Sequence, residues 1–313
     1  MFLRVIFCLY LLLLCGCSSE AEVSPKESVI EQMDLTQSEE SEEVSHYEIP
    51  PFLDVEFSED ASEYKNDVWL DISHIAEGYF GVKARSDERL KVLIKKDDLK
   101  YTYNLMNDET VQFYPLSLGD GSYSIQIMEN VVDTKYREKF KAVVEVSLLD
   151  EFQPYLHPSI YVNYAKDSEC VRLAESFAQK AADANDLIRL VYEYVCANVT
   201  YDREKAATVK SGYVPDPDET LSSGKGICFD YATLTASMLR SQGIPTKLIF
   251  GYVAPNDVYH AWNMVYTEEN GWITVEFSVD QNSWNRVDLT FSANGSDDNF
   301  IGNGENYADA SQY

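Results

Sequence analysis

Basic residues are scarce in this chain: 25 Lys and Arg stand against 53 Asp and Glu in 313 residues, a formal net charge of −28. A phosphate backbone would be repelled by such a chain, which excludes nucleic acid as a partner, and no basic patch is expected to hold it on anionic lipid. Cysteine is scarce too. The six cysteines are too few for a disulfide scaffold, and they sort by position. Cys8, Cys15 and Cys17 lie in the first apolar segment; Cys170, Cys196 and Cys228 lie in the body. Zinc-ligand spacing, phosphate loops and calcium loops are missing, so no metal or other cofactor is expected. No apolar run is long enough to span a bilayer as a helix, and no segment repeats with solenoid period. What is present is 45% hydrophobic residues, enough to bury a core.

The acid is uneven. Residues 18–65 hold 15 acidic and 2 basic residues, while residues 66–313 carry a net of −16. Ahead of the acidic stretch, Arg4 precedes an apolar run from Val5 to Leu14 that suits a secretory signal. The run ends in Leu14-Cys15-Gly16-Cys17, which resembles a bacterial lipobox: small residues precede a cysteine whose thiol receives the lipid. Residues 1–16 are therefore expected to be a lipoprotein signal peptide, with Cys17 the lipidated residue. A plain secretory signal with a chance cysteine is the alternative. Residues 17–65, with Glu39, Glu40, Glu42 and Glu43 clustered, are expected to form a disordered acidic tether extended by its own repulsion.

Residues 66–165 read as β structure. Leu90–Lys95, Tyr123–Ile127 and Phe140–Val146 mix or alternate apolar and polar positions, with Asp97-Asp98 and Gly119-Asp120-Gly121 as punctuation. Several short strands at this spacing predict a sandwich-like domain. His74 and His157 stand alone there and read as surface or loop residues. From about residue 166 the period changes. Two helices are predicted, one through Val171, Ala174, Phe177 and Ala181 and one through Leu187, Val191 and Val195. A Pro-rich loop follows, then a third helix from near Ile227 to Gly243. Strands are predicted at Lys247–Val253, Tyr259–Tyr266, Trp272–Val279 and Trp284–Phe291. Helices followed by an antiparallel sheet make residues 166–313 an α+β domain. Cys170 and Cys196 lie at matching distances from the turn between the first two helices, so a disulfide and a pair of buried free thiols both remain open.

Three segments carry chemistry. Gly224-Lys225-Gly226-Ile227-Cys228 places a thiol in the first turn of a helix, where unpaired N–H groups and the helix dipole favour negative sulfur. Tyr259-His260-Ala261-Trp262 puts a histidine in a strand. Trp284-Asn285-Arg286-Val287-Asp288 puts a carboxylate in another. A nucleophile, a base and a group to orient the base thus occur in the order Cys228, His260, Asp288. Glu276, at the same spacing from Trp272, is the competing third member. Asp288 is preferred because Thr290 and Phe291 follow it and because Glu276 is one methylene longer.

At these residues the chain resembles the transglutaminase-like superfamily, whose catalytic core is papain-like. The resemblance rests on the Gly-x-Cys helix start, the His-Ala-Trp strand and the Trp-x-x-x-Asp strand. It also rests on Asn198-Val199-Thr200-Tyr201-Asp202 and Arg240-Ser241-Gln242-Gly243-Ile244-Pro245. It covers about Asp186 to Phe291, with Leu289 standing where the family usually has proline. The resemblance implies a papain-like catalytic domain in an extracytoplasmic lipoprotein of Gram-positive bacteria. It further implies acyl transfer at a peptide or side-chain amide through a thioacyl intermediate, ending in hydrolysis or amine transfer. Tyr201 is a candidate oxyanion donor, and Trp262 a candidate cleft wall. The expected partners are a protein or peptide substrate at the cell surface and the membrane through the lipid anchor. A non-catalytic adhesion or scaffold module on an inherited fold is the rival function.

Overall fold

Alternation along the first described strands builds two antiparallel sheets. The computed structural model describes residues 46–253, 258–275 and 307–313. Eight strands come first: β1 (Glu63–Lys65), β2 (Val68–Asp71), β3 (Tyr79–Ala84), β4 (Leu90–Lys96), β5 (Leu99–Leu105), β6 (Gln112–Pro115), β7 (Gly121–Val132) and β8 (Lys135–Val146). One sheet runs β1-β2-β3-β6 and the other β5-β4-β7-β8. β4 shows the logic: Leu90, Val92 and Ile94 are buried, while Lys91, Leu93 and Lys95 face outward, because successive side chains point to opposite faces. A two-residue turn at Asp97-Asp98 pairs Lys96 with Leu99, and Asp97 takes a left-handed conformation (φ 51°) that aspartate tolerates. The inner faces meet through rings: Tyr114 stacks on Phe80 and meets Tyr103 edge-on at 5.2 Å. The expected sandwich is present.

From residue 46 onward the acidic stretch is held along the folded body. The Tyr47 amide donates to Ala181 O at 2.9 Å, and its hydroxyl donates to Gln242 O at 2.7 Å. Phe52 packs edge-on against Tyr164, and Ser58 N donates to Asp71 Oδ2. His157, read from sequence as a surface or loop residue, is buried under this strap; its Nδ1 lies 3.1 Å from Asp54 O. Burial lowers its pKa below the usual histidine value. Charge density alone gave no sign of these anchors, because a few aromatic and polar contacts hold a segment whose average composition is hydrophilic.

The second half contains α1 (Glu169–Ala178), α2 (Ala184–Asn198), β9 (Thr200–Tyr201), α3 (Arg203–Thr208), α4 (Pro217–Ser223), β10 (Lys225–Gly226) and α5 (Cys228–Arg240). β11 (Thr246–Val253), β12 (Val258–Thr267), β13 (Gly271–Val275) and β14 (Tyr307–Gln312) follow. The last four make an antiparallel sheet in the order β13-β12-β11-β14. This is the expected α+β arrangement of a helix-and-strand region preceded by a sandwich. Cys170 and Cys196 are both free thiols. Burial raises the Cys170 thiol pKa, with the nearby Asp218 carboxylate adding to the effect. Asp218 accepts from the amides of Glu169 and Cys170 and so caps α1 from across the fold. One core runs through both halves. Tyr313, beyond β14, joins it by packing against Tyr101, Tyr103 and Tyr161.

Candidate active site

The approach to Cys228 is set by two glycines. α4 ends at Gly224, whose left-handed φ of 60° only glycine adopts without strain. At Gly226 an added Cβ would lie 2.6 Å from Asp230 Cβ, so any other residue would force the strand away from the helix. Gly226 pairs with Tyr201 in the parallel β9–β10 ladder. Thr200 N donates to Gly224 O, and Asp202 N donates to Gly226 O. The ladder delivers the chain to Ile227, which is extended, and Cys228 then opens α5.

The first turn of α5 is fastened by a carboxylate that sequence reasoning missed. Asp230 is completely buried. Its Oδ2 accepts from Ile227 N at 2.7 Å; its Oδ1 accepts from Tyr213 Oη at 2.5 Å and from Lys205 Nζ at 3.0 Å. Leaving a carboxylate in this position unpaired would cost several kcal/mol, so all three donors are structurally required. Lys205 comes from α3 and Tyr213 from the Pro-rich loop, which ties both segments to the helix start. Asp230 stands three residues after the cap position Ile227, the spacing at which an acidic side chain returns to the cap amide. That spacing was a legible signal. Lys205 and Tyr213 offered none, because they come from other elements.

α5 packs against β11 and β12, and two hydrogen bonds fix its direction. Asn263 Nδ2 donates to Ala232 O at 3.0 Å in the middle. Arg240 Nε donates to Thr246 O at the far end, and Thr246 pairs with Val265. The helix therefore runs alongside β12 in the same direction, with its Cys228 end toward the Tyr259–His260 end of the strand. His260 is half-buried, pairs with Gly251 across the β11–β12 ladder, and stacks on Trp262 at 6.5 Å between ring centres. Trp262 is 1% exposed and forms an inner wall.

Tyrosines crowd the same end. Burial first and Cys228 second raise the Tyr201 hydroxyl above its ordinary value, which keeps it neutral. Tyr252 and Tyr259 pair across the ladder, are 46% and 58% exposed, and meet edge-on at 5.4 Å. Sequence reading did not single them out. Asp288, its competitor Glu276, and Cys17 lie outside the described residues. Among the described residues no three His, Cys, Asp or Glu side chains converge as a metal would require.

Residues 171–277 match the transglutaminase-like superfamily. This segment carries the transglutaminase-like fold. The transglutaminase-like segment includes α1 to β13, and so both Cys228 and His260. A UPF0252 protein of Methanocaldococcus jannaschii is 34% identical over 74 residues, 22% of this chain and 21% of that protein. The uncharacterized protein YebA of Bacillus subtilis is 28% identical over 195 residues, 55% of this chain and 26% of that one. Red sea bream transglutaminase is 12% identical, with a TM-score of 0.28 over 64% of this chain and 48% of its own. The match spans 21% to 37% of the lengths of the curated relatives.

Proposed function

We propose that the protein is a cysteine acyl-transfer enzyme acting on peptide or side-chain amides. The observation that supports this reading is the alignment of α5 with β12, which sets the Cys228 end of the helix toward the His260 end of the strand. Cys228 attacks the amide carbonyl, helped by the unpaired N–H groups of the first helical turn, which favour negative sulfur. The negative charge of Asp230 does not oppose this, because Lys205, Tyr213 and the Ile227 amide absorb it. His260 gives a proton to the leaving amine, and Asp288 orients its ring. The developing oxyanion is met by the Cys228 amide and, in this reading, by the neutral Tyr201 hydroxyl. The thioacyl group then passes to water or to an amine. Tyr252 and Tyr259 form an aromatic lip for the substrate. The acidic N-terminal stretch tethers the enzyme to the outer membrane surface through a lipid on Cys17; palmitate labelling that persists in Cys17→Ala rejects the anchor.

The test is labelling by a thiol-directed amide-mimic probe, mapped by mass spectrometry because Cys196 is also partly exposed. Fast labelling at Cys228 that falls sharply in His260→Ala supports the enzyme. Equal, slow labelling of Cys228 and Cys196 in the native protein supports a non-catalytic module instead. Asp288→Ala is expected to reduce turnover by about 10⁴ and Glu276→Ala far less; the reverse result moves the orienting role to Glu276.

A further inference from the structure

Several cations of the sandwich are held in ion pairs. Lys83 pairs with Glu59, Arg85 with Glu109, Lys96 with Asp97, and Arg137 and Lys139 with Glu129. Among the described residues, Arg89 and Lys91 have no carboxylate partner. Arg89 Nη2 donates to the backbone oxygen of Asp133 at 2.9 Å, and Lys91 Nζ lies 5.4 Å from the centre of the Tyr136 ring. Both line a cavity of about 340 Å³ together with Asn104, Asn107, Tyr136 and Ser211. Arg89 and Lys91 thus share one cavity with no carboxylate paired to either, in a chain of net charge −28.

The positive character continues along the outer face of the sheet. Lys91 and Lys95 point to the same side of β4, about 13 Å apart at the rise of a strand. Lys95 stands directly opposite Lys100 of β5. Like charges paired across strands cost stability, and an anion lying on them relieves that cost. On the Ser211 side the cavity lies close, along the chain, to the segment that holds α5. Ser211 is two residues, at most about 7 Å of chain, from Tyr213. Tyr213 bonds Asp230 in the first turn of α5 and meets the Phe229 ring edge-on.

We infer that the Arg89–Lys91 cavity and the lysine row behind it dock an acidic, extended segment of a peptide substrate whose reacting amide is presented to Cys228. This rests on the reading of the site as a peptide-amide enzyme. A peptide fits better than a compact oxyanion. The cations are spread along a strand rather than converging on one point, and alternate side chains of an extended peptide fall on one face with the same periodicity. Each carboxylate bound by Arg89 or Lys91 makes a charge-assisted hydrogen bond.

The experiment measures fluorescence anisotropy of a fluorescein-labelled (Glu-Gly)4 peptide on the full chain carrying Cys228→Ala, so that no turnover occurs. The glutamate peptide is expected to bind at least about tenfold tighter than (Gln-Gly)4, and Arg89→Gln with Lys91→Gln to remove about tenfold or more. Arg89→Lys with Lys91→Arg keeps the charge and retains binding, which separates charge from damage to the fold. Lys180→Gln, an exposed lysine elsewhere, leaves binding unchanged. Equal binding of the two peptides, indifference to the Arg89–Lys91 pair, or an equal loss with Lys180→Gln overturns the docking site. Tighter binding of inorganic phosphate than of the glutamate peptide overturns the peptide assignment. Intact peptide binding with an unreactive wild-type Cys228 rejects the enzyme reading alone; a reactive Cys228 with no peptide binding rejects the docking site alone.

Discussion

The sandwich and the transglutaminase-like half bury different things. In the sandwich the inner faces are almost wholly apolar or aromatic. Its buried charge is Glu129, neutralised by Arg137 and Lys139 and bonded to Ser86, together with Asp71, which accepts from Ser58 and Ser73. In the second half a single helix hides a row of polar groups. Eleven of the thirteen residues of α5 are buried, and Asp230, Thr233, Thr235, Ser237 and Arg240 are among them. Apolar faces hold a scaffold without specifying where a reactive atom sits, since they are non-directional. Buried hydrogen-bonded charges are directional, and removing one partner is costly. In the sandwich they are scattered, whereas two of them, Asp230 and Arg240, sit on the one helix that carries Cys228.

That contrast can be broken most forcefully at Arg240. Its guanidinium, entirely buried, donates to the carbonyl oxygens of Thr246, His157 and Tyr313, and burial lowers its pKa to about 10. Arg240→Ala removes the donor these three oxygens share and leaves a cavity, although Tyr313 O keeps its bond from Leu248 N, and it is expected to cost about 3–5 kcal/mol in chemical denaturation. A loss below ~1 kcal/mol would mean that these carbonyls find other donors.

Asp230→Asn comes next. It keeps an acceptor for the Ile227 amide but strands the Lys205 ammonium, with an expected loss of about 2–4 kcal/mol. It should also slow probe labelling of Cys228 in protein that remains folded, which a purely structural residue distant from the site would not do.

Glu129 sharpens the comparison from the sandwich side. Bonds from Lys139, followed by Arg137 and Ser86, outweigh its desolvation and lower its pKa from 4.5 to about 2. A depressed carboxylate stabilises the fold above its unfolded value and loses that contribution as pH falls from about 4.5 toward 2. Glu129→Gln should therefore cost about 1–2 kcal/mol at neutral pH, a figure reduced because Arg137 is largely exposed. Thermal melts of wild type and variant should converge as the pH approaches 2. The smallest effect is expected at Val143, 64% exposed on the outer face of β8. Val143→Thr should shift stability by no more than about 0.5 kcal/mol.

Sequence and structure agree where local pattern suffices. The alternation of β4, β7 and β8 announced a sandwich, because a sheet with one buried face must alternate. The third helix was legible from Gly226-Ile227-Cys228 to Gly243-Ile244-Pro245, because its start and stop signals are local. Cys228, His260 and Tyr201 were legible through the motifs around them. α3 was not read as a helix, since it is short and owes its place to partners far away in sequence. The anchoring of residues 46–58 was equally hidden, because composition averages over the few aromatic contacts that hold them.

What the sequence by itself determined is the periodicity of the two halves and the identity of the candidate nucleophile and base. These follow from side chains interacting with their own neighbours along the chain. Only the tertiary structure decided that Lys205 and Tyr213 would neutralise Asp230, that Arg240 would gather carbonyls from three segments, and that Arg89 and Lys91 would be left facing a cavity without a carboxylate. A charge has no sequence-local partner list. Which groups desolvate it and which compensate it depend on the elements folded against it, and that is a property of packing.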